Sequence, residues 1–301
     1  FRHVILTDRN KPETPETWAV FEGKTEVSDN GENHECTVEV AFLIRGGKVV
    51  QAQSTELVVY FPTEKKTELG FLIQGPFKTT KARDNIAQDS KANQQLIEAV
   101  AQLVADSLED LRDSDLLDPS SYLALPIRVQ DFPENSFFRV VYDKVRDALK
   151  TKPLLPADGG GFVKAAGAKL AGVSDLVDLF SPQQLVTLFG KPELKWLDRS
   201  ITAAGQLGDL HAYLVGRRQG REWRIEPVVE GLQVEPETLV ASLTAEFLAA
   251  QDIGWLKNFI AYAKDNQAIR KTPLVRLEGG HQVHLPVQGM KATAYLSPND
   301  A

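Results

Sequence analysis

The sequence predicts an α+β fold from three observations. Alternating strand-like runs, punctuated by Gly and Pro, fill the first 76 residues. One long apolar stripe at helical spacing follows them, and beyond Asp118-Pro119 comes a succession of helical segments of ordinary length. The change of character near residue 116 predicts two domains: a mixed sheet-and-helix unit over 1–116, and a mostly helical unit over 117–301 that ends in a short β-hairpin within 269–298. A chain of 301 residues suffices for both, at about 100–200 residues per domain.

Taken in order, residues 18–22 read as a short strand. Residues 37–44 alternate, with Val38, Val40, Phe42 and Ile44 on one face. Gly46-Gly47 supplies what a tight hairpin turn requires, so 48–53 return antiparallel. Residues 56–61 form a further strand ended by Pro62, and 71–74 another ended by Gly75-Pro76. Asp89 or Ser90 caps a long helix whose stripe is Ala92, Leu96, Ile97, Val100, Leu103, Val104, Leu108 and Leu111. Helices are expected over 136–149, 161–170, 174–180, 182–189, 207–215, 236–250 and 255–264. The strands 273–277 and 281–285 then meet around Gly279-Gly280.

Composition narrows the function classes. With 43% hydrophobic and 25% charged residues, the chain is neither disordered nor collagenous, and no stretch approaches the roughly 18 apolar residues of a membrane-spanning helix. The net charge is −7, which gives no basic stripe for nucleic acid or a membrane surface; Lys65-Lys66 and Arg217-Arg218 are too short. Between Asp89 and Asp118, eight acids stand against Lys91 and Arg112, the pattern of a solvated helix face. The single Cys36 cannot form an intrachain disulfide or a multi-cysteine zinc site and is expected as a buried structural thiol in a reducing, cytoplasmic setting. Phe1 in place of Met, with no signal peptide after it, suggests a piece of a longer polypeptide.

Familiar catalytic signatures are missing. Gly46-Gly47-Lys48-Val49 lacks the first glycine and the hydroxyl of a phosphate loop, and no Gly-x-Ser-x-Gly elbow occurs. His281 and His284 lack the further ligands a metal needs, so no metal site is expected. Asp158-Gly159-Gly160-Gly161 departs from the Asp-x-Gly-x-Gly of a Bergerat-type ATP site at Phe162, and Glu26 with Asn30 falls in a polar turn rather than on a helix. His211 or His281 beside a carboxylate would be needed for an unrecognised hydrolase. One polar segment remains, joining the strand at 71–74 to the long helix. It carries Lys78, Lys81 and Arg83 around Thr79 and Thr80. Such a loop can bind phosphate oxygens through ammonium, guanidinium and backbone N–H groups. It can equally be a surface loop with Arg83 paired to Asp84, Asp89 or Glu64.

This region resembles the sacsin-like branch of the GHKL ATPases, relatives of the ninety-kilodalton heat-shock chaperone. The resemblance is carried by Val59-Tyr-Phe-Pro-Thr-Glu64, Phe71-Leu-Ile-Gln-Gly-Pro-Phe77 and Thr79-Thr-Lys-Ala-Arg-Asp-Asn-Ile86, followed by a helix start at Asn93 to Leu96. Glu246-Phe-Leu, Trp255-Leu256 and Pro273 to Gly280 also fit, but only the block 61–86 is specific.

The resemblance implies a chaperone middle-domain or transducer-like unit. In that family an arginine on a loop before a long helix reaches the γ-phosphate of ATP held by the preceding domain. Here the Ser-Arg-Glu motif of the chaperone matches Ala82-Arg83-Asp84, with Ala82 for Ser and Asp84 for Glu. The glutamine four residues after the arginine falls on Ala87, next to Gln88. The implied catalytic residue is Arg83, with Lys78, Thr79, Thr80, Lys81 and Gln88 as phosphate contacts. ATP and Mg would belong to the parent protein, since the nucleotide-binding half has no counterpart here. The implied partners are that N-terminal ATPase domain and a client protein, with homodimerisation possible. A non-enzymatic interaction or scaffold module is the alternative.

Overall fold

The computed structural model describes residues 1–8, 11–29, 31–53, 55–82, 84–220, 222–263, 275–276 and 282–283. Arg83, Asn30, His281, His284 and most of the expected 269–298 hairpin therefore lie outside the described residues. The fold is α+β with mixed sheets. The chain forms two compact units: 1–156 with 160–166 and 200–230, and 157–159 with 167–199 and 231–301.

The first unit is built on a seven-stranded sheet. Its strands are β1 (Arg2–Asp8), β2 (Lys11–Asp29), β3 (Glu32–Arg45), β4 (Lys48–Val50), β5 (Glu56–Val59), β6 (Phe61–Lys66) and β7 (Leu72–Gln74). The order is β1-β2-β3-β7-β5-β6, with β4 folded back on β3. β5 and β7 run parallel, pairing Val58 with Gln74; the other named pairs are antiparallel. The alternation in β3 buries Val38, Val40, Phe42 and Ile44 as expected.

Two strand readings and the burial of Cys36 are corrected. β2 extends far beyond the expected 18–22, because Thr17 to Asp29 pairs continuously with β3 and the polar positions of that ladder face solvent. The segment 56–61 breaks at Tyr60, which turns at a φ of 57°, and Pro62 lies inside β6 at the sheet edge, where a missing N–H is tolerated. Cys36 is half-buried rather than buried.

The helix α1 (Lys91–Asp113) lies on this sheet, capped by Ser90, whose side chain accepts from Asn93 N at 3.4 Å. At Gly23 of β2 a Cβ would stand 3.4 Å from a methyl of Leu103, an ordinary van der Waals contact, so helix and strand lie close together there. α2 (Arg139–Thr151) packs against α1. Lys152 reaches Asp106 at 3.2 Å and Glu109 at 2.8 Å, so the acidic face of α1 is partly neutralised by its neighbour. A helix at Gly208–Val215 and a hairpin of Arg217–Gln219 with Glu222–Ile225 complete the unit.

The second unit surrounds an apolar cluster that includes Phe180, Leu185, Trp196, Leu239, Leu248 and Phe259. Its helices are Asp175–Leu179, Pro182–Phe189, Pro236–Ala241, Ala245–Ala249 and Ile253–Ala263. The expected helix over 236–250 is two, because Thr244 breaks the run and caps the second by accepting from Phe247 N at 3.1 Å. The expected helix over 161–170 is not formed. Ala168–Ala171 is instead the middle strand of a parallel sheet with Lys195–Trp196 and Gln233–Val234, its burial alternating as pairing demands. Tertiary pairing overrides the helix preference of its Ala and Lys residues. Val275–Arg276 pairs antiparallel with Gln282–Val283.

Two buried phenols in the first unit set an alkaline limit. Tyr122 donates to Leu154 O, and burial raises its ionisation far above the ordinary value; burial raises that of Tyr213 likewise. A folded-state pKa above the unfolded one gives stability that is complete below about pH 10 and is lost as pH rises further. Titrated upward, these two phenols are expected to ionise only together with loss of circular dichroism. Ionisation of all six tyrosines in a folded chain would contradict this.

Candidate functional site

The two legs of the loop between β7 and α1 pair with one another, and the construction of this neck explains the residues around it. Gly75 leaves β7 where a Cβ would stand 3.0 Å from the Phe77 ring and 3.2 Å from Val38, so no larger residue fits without displacement. Phe77 and Ile86, both buried, pin the two legs to the unit. Between them Thr79 bridges Ile86, Thr80 N donates to Asn85 O at 2.9 Å, and Ala87 N donates to Lys78 O at 3.1 Å.

The neck of this hairpin is closed by Asn93, in the first turn of α1 and fully buried. Its Oδ1 accepts from Lys78 N at 2.8 Å, and its Nδ2 donates to Lys78 O and Ala87 O, each at 2.9 Å. Both amide protons and the carbonyl are thereby used, which makes a buried polar side chain stable where it would otherwise be costly. Sequence reasoning noted Asn93 only as part of a helix start. Its role as a latch depends on contacts 6 and 15 residues away.

The expected phosphate contacts have different fates. Lys78 Nζ lies 2.5 Å from Asp29 Oδ1, at the end of the β2–β3 hairpin, so its charge is already matched. That hairpin is tied to α1 again where Ser28 N donates to Gln95 Oε1 at 2.9 Å. Thr80 Oγ1 donates to Asp84 Oδ1, and Thr79 is half-buried in the bridge. Lys81 and Gln88 are exposed, as are Ala82 and Asp84 on either side of Arg83. Among the described residues, Lys81 makes no ion pair within 4 Å. Arg83, the implied catalytic residue, lies outside them.

Beside the loop runs an open cleft of about 440 Å³, to which Asp84, Asn85 and Gln88 contribute one wall. Its charged lining is Glu64, Glu68, Asp84 and Asp131 against Lys65 and Lys66. Among the described lining residues, four acids stand against two lysines.

The other charged constellation belongs to the second unit. Arg199 grips Asp158 with Nε at 2.9 Å and Nη2 at 3.1 Å, while its Nη1 meets Asp178 at 2.9 Å. The guanidinium holds the Asp158 carboxyl below its usual range. The first residue of the Asp158-Gly159-Gly160-Gly161 run is thus committed to a structural clasp. His211 is half-buried on the helix Gly208–Val215. Among the described residues no three His, Cys, Asp or Glu side chains are grouped to hold a metal ion, and no helix is long and apolar enough to cross a membrane. Compared with known proteins, the chain matches no family model, no curated protein and no solved structure.

Proposed function

We propose that this chain is the region following the nucleotide-binding domain of a sacsin-like, chaperone-type GHKL ATPase, with a middle-domain-like first unit. In this reading loop 78–88 delivers Arg83 to the γ-phosphate of ATP held by the preceding domain. The observation that supports it most is the latched hairpin. A loop closed at its neck by a buried, fully bonded Asn93, seated on a 23-residue helix, presents its outer residues without paying to order itself at each encounter. ATP and Mg would be bound by the other domain. The chemistry asked of this chain is charge neutralisation on the transferring phosphoryl group, which a guanidinium does bidentately. Hydrolysis would then depend on closure of one domain on the other.

The second reading is a non-enzymatic interaction module. The acidic lining of the cleft favours it, together with the prior commitment of Lys78 to Asp29 and of Thr80 to Asp84. The two separate in one comparison: ATP turnover by the polypeptide that joins this chain to its nucleotide-binding domain, against that domain alone. The ATPase reading expects turnover to fall at least tenfold when 1–301 are removed. Equal turnover would refute it and leave the interaction module.

A further inference from the structure

Three segments far apart in the chain meet beside the neck of the β7–α1 loop. They are the end of the β2–β3 hairpin at Ser28 and Asp29, the first leg of the loop at Lys78, and the start of α1 at Asn93 and Gln95. Asn93 bonds both the N–H and the carbonyl of Lys78, and Gln95 Oε1 accepts from Ser28 N at 2.9 Å. Lys78 Nζ, 2.5 Å from Asp29 Oδ1, completes the junction. Of these four ties, three are neutral hydrogen bonds and one joins opposite charges.

An exposed ion pair is ordinarily a weak contributor, because side-chain freedom is lost to make it. Here much of the ordering is done beforehand. Buried Asn93 fixes the backbone of Lys78. Asp29 is paired across the hairpin with Glu32, one residue after Ser28 is held by Gln95 and two after buried Val27. The pair remains open to salt, since the Lys78 and Asp29 side chains are 45% and 31% exposed. Lys78 also stands at the root of both legs. Its carbonyl accepts from Ala87 N at 3.1 Å, and Thr80, two residues on, donates its N–H to Asn85 O at 2.9 Å.

We propose that the Lys78–Asp29 pair is a salt-sensitive strap through which the end of the β2–β3 hairpin controls how readily the neck of the β7–α1 loop opens. With the pair formed, the first leg is fastened on two sides, by α1 through its backbone and by the hairpin through its side chain. With the pair broken, Asn93 and the buried Phe77 and Ile86 still hold the neck, so it opens more often without coming apart. The strap is a property of this chain alone and stands under either reading of its function.

The test is amide hydrogen exchange on the intact chain, read at Thr80 and Ala87 in the neck and at the buried Val40 and Phe42 of β3. Asp29→Asn, Lys78→Met and the double variant remove the attraction from one side, the other and both. Each is expected to speed exchange at Thr80 and Ala87 about two- to fivefold, the range of an exposed ion pair, and the double variant no more than either single one. Exchange at Val40 and Phe42 should stay level. Raising the salt to about 1 M should bring the parent chain up to the variants and leave the variants where they are. Unchanged exchange at Thr80 and Ala87 in the single variants would overturn the proposal. So would a double variant that adds the two effects, or a neck that responds to salt equally in parent and variants, since neither residue would then act through the other. A matching rise at Val40 and Phe42 would overturn it as well, because the two residues would then serve overall stability.

Discussion

Asn93→Ala is expected to destabilise the first unit by about 3 kcal/mol, the cost of three hydrogen bonds of a fully buried amide, with the Lys78 N–H left without its protein acceptor. Two of the three groups that Asn93 serves keep another partner. Lys78 O still accepts from Ala87 N at 3.1 Å, and Ala87 O still accepts from Ser90 N at 3.1 Å. Lys78 N has Asn93 Oδ1 as its acceptor and is orphaned. For a unit of this size, the loss corresponds to a fall in melting temperature of roughly 10 °C. Asn93→Asp sharpens the test. It keeps an acceptor for Lys78 N but turns a buried carboxylate toward two carbonyl oxygens. Its pKa must rise, so the variant should be closer to the parent chain at about pH 4 than at about pH 7, as the carboxyl gains a proton it can donate. Denaturant titration of both variants at the two pH values measures this. A loss below about 1 kcal/mol for Asn93→Ala would show that the neck is held by Phe77, Ile86 and the backbone bonds between its legs, without the Asn93 latch.

Arg83→Ala carries the largest expected effect on function. A guanidinium placed on a transferring phosphoryl group contributes on the order of 10³-fold or more to turnover, and it acts on charge that develops in the transition state. Turnover in the joined polypeptide should therefore fall about 10³-fold while ATP affinity changes little. Arg83→Lys should recover only part of the loss, because an ammonium is a point charge and cannot bond two oxygens in a plane. A parallel loss of ATP affinity would instead make Arg83 a ground-state contact. Lys78, by contrast, is already paired with Asp29.

Local signals in the sequence were enough for α1 and its stripe, with the cap narrowed to Asp89 or Ser90, for the Gly46-Gly47 hairpin, and for the helices at Asp175–Leu179 and Pro182–Phe189. Each rests on signals within a few residues: apolar periodicity, a cap at Ser90 and Ser181, or the turn residues Gly46 and Gly47. What could not be read is held by distant pairing. The N-terminal part of β2 contains Pro12 and Pro15 and pairs only with β1, an edge strand with little alternation. The strand Ala168–Ala171 gains its identity from partners more than 20 residues away. The candidate site divides the same way. Its loop and cations were legible as composition. That Lys78 is neutralised by Asp29, 49 residues earlier, and that Asn93 latches the neck, emerge only when the hairpin β2–β3 and α1 are brought together.

The most direct measurement is a structure of the polypeptide joining this chain to its nucleotide-binding domain, bound to a non-hydrolysable ATP analogue and Mg. The account predicts loop 78–88 at the nucleotide, with a guanidinium nitrogen of Arg83 about 2.7–3.2 Å from a γ-phosphate oxygen. A closed, nucleotide-loaded structure in which that loop faces solvent or a separate protein, with another residue on the γ-phosphate, would contradict it.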